Sequence, residues 1–413
     1  MKLTQKILRN RLLLNLLILL LIRIGTFLPV PGVDSTDIIF YLERHSTAKN
    51  ILSTFSASNI FVIGLFSLNI FPYVNASILV QLLIGASPKL AELQKEGDFA
   101  ARRSINQLTR NIALVLTVIQ SSGVSLYLKQ ILFDWNYLLA FNIIIWMTAG
   151  AMIVLWLSEI INERGVGNGT SLLTYTNIAS NLPNLIKKTI FVGDTNPLLI
   201  FFSSIGIFLL ASISLYGIVF LQKGIRKIPL RSARQLGQPL LRKTAKDVLY
   251  LPLRFNSAGV MPIILTAAIL GVPNYIVNSG LFPGLTFLTA LKPLYWLSYF
   301  ISVIVSSLFY STIVLKPKDL AEQLQKMAVV IPGVRPGAQT IFYLKRVLKR
   351  LTLIGALLLA TITVIPNFIE STLNITALNG LGTSSLLILA GVILDLTRDF
   401  ENIYYSNVYD DKY

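Results

Sequence analysis

Apolar residues along this chain collect into long runs set between clusters of charge. Ten runs stand out, near 12–30, 70–88, 107–128, 137–160, 169–187, 197–221, 256–277, 293–315, 351–369 and 381–397. A helix needs about 20 such residues to cross a hydrocarbon core of about 30 Å. Backbone groups in lipid must find partners within their own segment, so runs of this length read as helices. The period-two alternation of a membrane β-barrel is absent. The pattern predicts an all-α polytopic membrane protein with ten transmembrane helices.

Basic residues orient these spans. With the N-terminus inside, 29 of the 36 Lys and Arg residues fall on inner segments, six fall on outer ones, and Arg23 lies within the first span. Such a split under strict alternation obeys the positive-inside rule. It also supports an even span count with both ends inside. The first run has no small-residue cleavage site and carries Arg23, so it reads as a span and not as a secretory signal. No Arg- and Ser-rich transit peptide precedes it.

Ten spans divide into five and five, giving an N-terminal half over 1–190 and a C-terminal half over 191–413. Five is odd, so the second half begins on the opposite face, and two inverted five-helix halves can enclose a pathway where they meet. The fifth span is rich in Thr, Ser and Asn between Thr170 and Asn181, too polar to face lipid. Asn75, Ser77 and Gln81, then Gln120, then Asn256 and Ser257 add polar groups to spans two, three and seven. Taken singly, each reads equally well as helix–helix glue; together they favour a polar pathway. Residues 52–66 are apolar but too short to cross and are broken by Ser, Thr, Asn and Gly. They read as a half-inserted segment, with an outer surface loop as the plainer alternative.

Composition removes most chemistry. Hydrophobic residues make up 54% and charged residues 13%, about half the charged share of a soluble domain. There is no Cys and one His, His45. Disulfides, thiolate or His-based metal sites and Cys nucleophiles are thereby excluded. The stretch from Asn162 to Gly169 is glycine-rich but follows a membrane helix and lacks Gly-Lys-Ser/Thr, so it reads as a tight turn and not a phosphate cradle. Glu159, Arg164, Asp395 and Arg398 read as boundary charges at inner helix ends. Arg23, left unpaired in lipid, would cost about 3 kcal/mol or more, so it must snorkel or find a partner. The span centres hold no acidic residue, which argues against ion-coupled transport and leaves a small-solute secondary transporter as the weaker rival. A membrane enzyme would need an acid, base or ligand cluster, and none is found. No cofactor is expected.

The net charge is +17, and two inner segments concentrate it. Residues 222–254 carry nine basic residues against Asp247, and 316–350 carry eight against Asp319 and Glu322. Such patches suit anionic partners: lipid headgroups, nucleic acid or an acidic protein face. Topology alone is the alternative. Within the second segment, Ile331-Pro-Gly-Val-Arg-Pro-Gly337 places two Pro-Gly turns around Arg335 and makes a rigid tip. A phosphate-rich ribosome or a cytosolic motor protein suits such loops, with contact to backbone charge and not to bases.

Seven stretches, in order, resemble the SecY protein-translocation channel family along nearly the whole chain. They are Arg23-Ile-Gly-Thr-Phe-Leu-Pro-Val-Pro-Gly32, Phe71 to Gln81, Lys95 to Arg103, Glu163 to Gly169, Leu251 to Val260, Ile331 to Gly337 and Ser385 to Ile388. The short loops and Ile/Leu/Asn-rich composition look like those of a plastid-encoded algal member. The resemblance implies a clamshell passing unfolded polypeptides across the membrane or sideways into lipid, and no catalysis of its own. It implies a plug at 54–66 and an apolar pore ring of Ile70, Val74, Ile264 and Ile388, with Thr174 at the fifth-span position and Ile178 one turn on. It implies a lateral gate between spans two and three and spans seven and eight, with Asn75, Gln120 and Asn256 as its polar cluster. It places docking of a SecA-type motor ATPase and of the ribosome on the basic loops, at Arg335, Arg242 and Lys243. It further implies SecE-like and SecG-like subunits, membrane lipids around the bundle, and a thylakoid location with both termini stromal; a bacterial plasma membrane with cytoplasmic termini is the alternative.

Overall fold

The computed structural model describes residues 2–33, 64–96, 99–129, 135–191, 212–232, 249–256, 292–314, 316–373 and 389–394, together with 209, 259, 261–263, 265, 266, 396 and 397. Its contacts divide the chain into two compact units, Met1–Val192 with Val392–Tyr413, and Gly193–Gly391.

The first unit is helical. Helices α1 (Lys2–Phe27), α2 (Phe71–Ala86), α3 (Pro88–Glu96), α4 (Phe99–Leu128), α5 (Tyr137–Arg164) and α6 (Gly169–Phe191) follow in order. Helix α2 packs on α4, α4 on α5, and α5 on both α1 and α6. Asn136 precedes α5 and its side chain accepts a 2.7 Å bond from the Tyr137 amide, satisfying one of the unpaired donors at the helix start. Two apolar clusters hold the unit together. One joins Val30, Leu68, Leu128, Ile143 and Met147. The other joins Ile18, Ile22, Phe66, Ile70, Val154, Ile161 and Leu173.

In the second unit α7 (Lys292–Val314) and α8 (Pro317–Lys326) each pack on α9 (Ala338–Leu373). Here the all-α expectation is corrected. Strands β1 (Ile225–Pro229) and β3 (Tyr250–Arg254) pair antiparallel, as do β2 (Arg231–Ser232) and β4 (Val329–Val330). The described parts of the two basic segments are folded. Ile228, Leu230, Leu253, Leu324, Ile331, Leu344 and Leu348 form one buried cluster, so strands from 222–254 and helices from 316–350 fold around a common core. Burying that many branched apolar side chains, each worth about 1.5–3 kcal/mol, is what fixes these short pieces in place.

Three helical stretches among the described residues are long and apolar enough to cross a membrane: Tyr137–Arg164, one within Trp296–Lys326, and Ala338–Ile365; Phe71–Ala86 is apolar but shorter. Runs expected at 12–30, 70–88, 107–128, 137–160, 169–187, 293–315 and 351–369 coincide with helices. Several helices outrun the apolar block, as α4 does by beginning at Phe99 and α9 by beginning at Ala338. Most of the expected spans at 197–221, 256–277 and 381–397 lies outside the described residues. Leu13, Leu16, Leu17, Leu20, Tyr137, Leu138, Phe141 and Trp156 stay exposed, which suits helices whose remaining contacts are lipid.

Candidate functional site

The expected pore position begins where a turn enters α2. Residues 64–70 form it. The Leu65 amide donates to the Leu28 carbonyl at 2.8 Å and the Phe66 amide to Gly25 at 3.4 Å, while Gly64 bridges to Pro29. Asn69 takes a left-handed φ of 48°, and its side chain accepts from the Ile70 amide at 2.8 Å. A left-handed Asn is tolerated because its short amide bonds locally. Close packing then needs glycine: a Cβ at Gly64 would overlap the Thr26 carbonyl, and one at Gly150 the Leu65 carbonyl. Ile70 emerges only 1% exposed. Val74, one turn on, is half-buried against the same cluster.

Of the remaining expected ring residues, Thr174 and Ile178 sit half-buried on α6. The Thr174 hydroxyl donates to its own helix at the Thr170 carbonyl, 2.8 Å away. The hydroxyls of Thr176 and Ser180 do likewise toward Leu172 and Asn177. These hydroxyl bonds are met inside the helix, so α6 is less demanding of polar neighbours than its composition suggests. Asn168 opens α6 by accepting from the Thr170 amide and hydroxyl at 3.0 and 2.7 Å. Asn15 of α1 brackets Val166, donating to its carbonyl at 2.8 Å and accepting from its amide at 3.4 Å. The glycine-rich stretch is thus a tied turn, with Gly167 at a φ of 85°. Ile264 and Ile388 lie outside the described residues, as do 52–63 of the expected plug.

Asn75 and Gln120 are half-buried on α2 and α4. Asn256, in the other unit, is 9% exposed and donates to the Gly259 carbonyl at 2.8 Å. A buried contact that sequence reasoning missed lies nearby in that unit: Thr266 donates to Ser306 of α7 at 3.1 Å. Also missed is a bidentate ion pair, Arg110 of α4 with Glu159 of α5, both N···O distances being 2.7 Å. The signal was present, since each charge interrupts the inner part of an apolar run, but their separation in sequence hid the pairing.

Arg335 is exposed at the tip of a turn. Gly333 and Gly337 flank it with φ of 81° and 99°, a region open to glycine and strained for other residues. Thr340 donates to the Arg335 carbonyl at 2.9 Å, and buried Ile331 anchors the turn in the mixed core. On the same folded element, Lys227 lies 4.8 Å from the Tyr250 ring centre and Arg346 4.9 Å from that of Phe342. The element offers exposed cations, some already set over aromatic faces. Arg242 and Lys243 lie outside the described residues. Among the described residues no cluster of His, Cys, Asp or Glu could hold a metal ion.

Comparison with known proteins matches residues 64–397 to the SecY family model. The chain is 54% identical to the protein translocase subunit SecY of Trieres chinensis, over 98% of this chain and 97% of that one. It is 40% identical to that of Porphyra purpurea, over 98% of both. A solved structure concerning the plug domain of SecY and the closed state of the translocation channel superposes with a TM-score of 0.63 at 19% identity, covering 95% of this chain and 92% of that one. Sec61 in the canine ribosome–channel complex superposes at 0.57 and 19%, covering 95% and 93%.

Proposed function

Because the chain belongs to the SecY family and is a multi-pass, protein-conducting channel without enzymatic chemistry, we propose where polypeptides cross it and what drives them. The ten spans form two inverted five-helix halves. A ring of Ile70, Val74, Thr174, Ile178, Ile264 and Ile388 pinches the path. A ring of this kind excludes water and ions by dewetting yet yields to an extended chain. The observation that carries this reading is Ile70, buried at the N-cap of α2 at the end of a turn held by backbone bonds. A seal needs an apolar side chain whose backbone cannot drift, and that turn provides one. Self-bonded Thr174 contributes its methyl to such a ring at little polar cost.

Helices α2 and α4 form one side of a lateral gate, with Asn75 and Gln120, and Asn256 belongs to the opposite side. Residues 54–66 act as the plug. The mixed strand–helix element with Arg335 at its tip, joined by Arg242 and Lys243, docks a SecA-type motor or a ribosome; a solved relative of the same fold is a ribosome–channel complex. SecE-like and SecG-like subunits complete the assembly. The algal relatives support a thylakoid membrane, and the bias of basic residues along the chain supports both termini stromal.

The test uses the absence of native Cys. A single Cys at position 74 should crosslink to a Cys in the middle of a stalled secretory chain, and one at exposed Leu138 should not. Equal crosslinking at both positions, or none at 74, would refute the path.

A further inference from the structure

Among the described residues of the first unit, the Arg110–Glu159 pair is a bidentate ion pair between neighbouring helices. Glu159 lies about one and a half turns inside the end of α5 at Arg164, and Arg110 lies three turns inside the start of α4 at Phe99. With α4 and α5 read as the third and fourth spans, both charges sit toward the inner ends of those helices. A lone carboxylate there is strongly disfavoured and needs a cation. The guanidinium meets it with two parallel charge-assisted bonds, and the pair fastens α4 to α5. Tyr73 of α2, beside Val74, packs against the cluster to which α5 contributes Val154, Leu155 and Ile161. The helix that carries Glu159 therefore packs beside the one that carries Ile70 and Val74 of the proposed pore ring.

Two further observations give the contact more than a fastening role. The pair is accessible, the side chains being 51% exposed for Arg110 and 25% for Glu159. An ion pair not walled in by protein is open to exchange with a competing cation. The other carboxylates whose side chains are described in this unit, Glu92 and Glu163, lie in the short helix α3 and in the last turn of α5. Among the described side chains, Glu159 is the carboxylate that contacts α4. Segments that enter such a channel carry an apolar stretch with a positively charged flank on the inner side.

We infer that Glu159 is the acceptor for the basic flank of an incoming apolar segment, and that Arg110 occupies it in the resting channel until that cation takes its place. The exchange keeps one ion pair while removing the only charged tie described between α4 and α5. Recognition of a basic flank and release of α4 are then the same event. This rests on the reading of α4 as a gate helix.

The test measures translocation of one reporter with a basic, neutral or acidic flank ahead of a constant apolar stretch, using the full translocase in its membrane. Glu159→Gln should erase most of the advantage of the basic flank, a loss of roughly two- to fivefold, and, because it also cuts the tie between α4 and α5, should raise translocation behind the neutral flank toward that of the basic one. The double exchange R110E/E159R restores the tie with reversed polarity, and the inference expects it to favour the acidic flank. A double exchange that keeps the wild-type preference, or an E159Q channel that still favours the basic flank fully, would overturn the proposal. Crosslinking from a Cys at position 120 separates the two readings. If the reporter reaches position 120 while flank preference ignores Glu159, the inference falls alone; if it never reaches 120, the gate reading falls with it.

Discussion

Arg335→Glu is expected to cut motor- or ribosome-driven export by at least about thirtyfold, with normal amounts of the protein in the membrane. The two halves of that expectation have separate causes. Arg335 is exposed, and its turn is held by the Thr340 hydroxyl on its carbonyl and by buried Ile331, none of which involves the guanidinium. Changing an exposed side chain with no structural partner usually moves stability by less than about 0.5 kcal/mol. A partner that binds this tip through negative charge instead loses an attraction and gains a repulsion. Breaking a close interfacial charge contact costs about 2 kcal/mol or more, which is about thirtyfold in affinity. Arg335→Ala should lose less, because it removes the attraction without adding repulsion. Export in membrane vesicles, alongside the quantity of inserted channel, measures both. Export by the glutamate variant at the parental rate would show that the tip is not a docking point.

How much of this was legible in the sequence depended on whether the signal was local. Runs of apolar residues need no partner to be recognised, because the bilayer alone demands their length. Seven of the ten expected spans accordingly coincide with helices. The basic segments were read correctly as charged and stiff at Arg335, since Pro-Gly turns are local chemistry. Their folding was not legible. Ile228 and Leu253 lie on short strands far in sequence from Leu324 and Leu344, and only a shared core shows that they belong together. A hydropathy window reads those stretches as polar because Lys and Arg are interleaved with the buried residues. The same limit applied to Arg110 and Glu159: Glu159 reads as a boundary charge and Arg110 as one more inner basic residue until the packing of α4 on α5 brings them together. At the pore position the sequence marked Ile70 and Val74 only through family resemblance. What holds Ile70 in place, backbone bonds from 65 and 66 to 28 and 25, carries no side-chain signature beyond small residues at Gly25, Gly64 and Gly150.

Those glycines give the second large expected effect. Gly150→Ala should raise ion leakage through substrate-free channels by roughly tenfold, whereas Gly123→Ala should leave it at the parental level. A Cβ at Gly150 would overlap the backbone oxygen of Leu65, with the Phe66 ring close behind. Backbone cannot rotate aside as a flexible side chain can. Overpacking of this kind typically costs about 1–3 kcal/mol. The strain is relieved by moving the 64–70 turn away from α5, and Ile70 moves with it because its amide is bonded to Asn69 in that turn. If about 1.4 kcal/mol of the strain is expressed in the seal, the unsealed population rises tenfold. Gly123, in the interior of α4, has nothing within 4 Å of its would-be Cβ; it therefore controls for adding a methyl to a membrane helix. Single-channel recording in planar bilayers reads the leak, and thermal unfolding of the detergent-solubilised complex reads the stability. A Gly150→Ala channel that loses stability but leaks no more than the parent would mean that the turn fixes the fold without fixing the seal, and would remove the mechanical argument for Ile70 as the pinch.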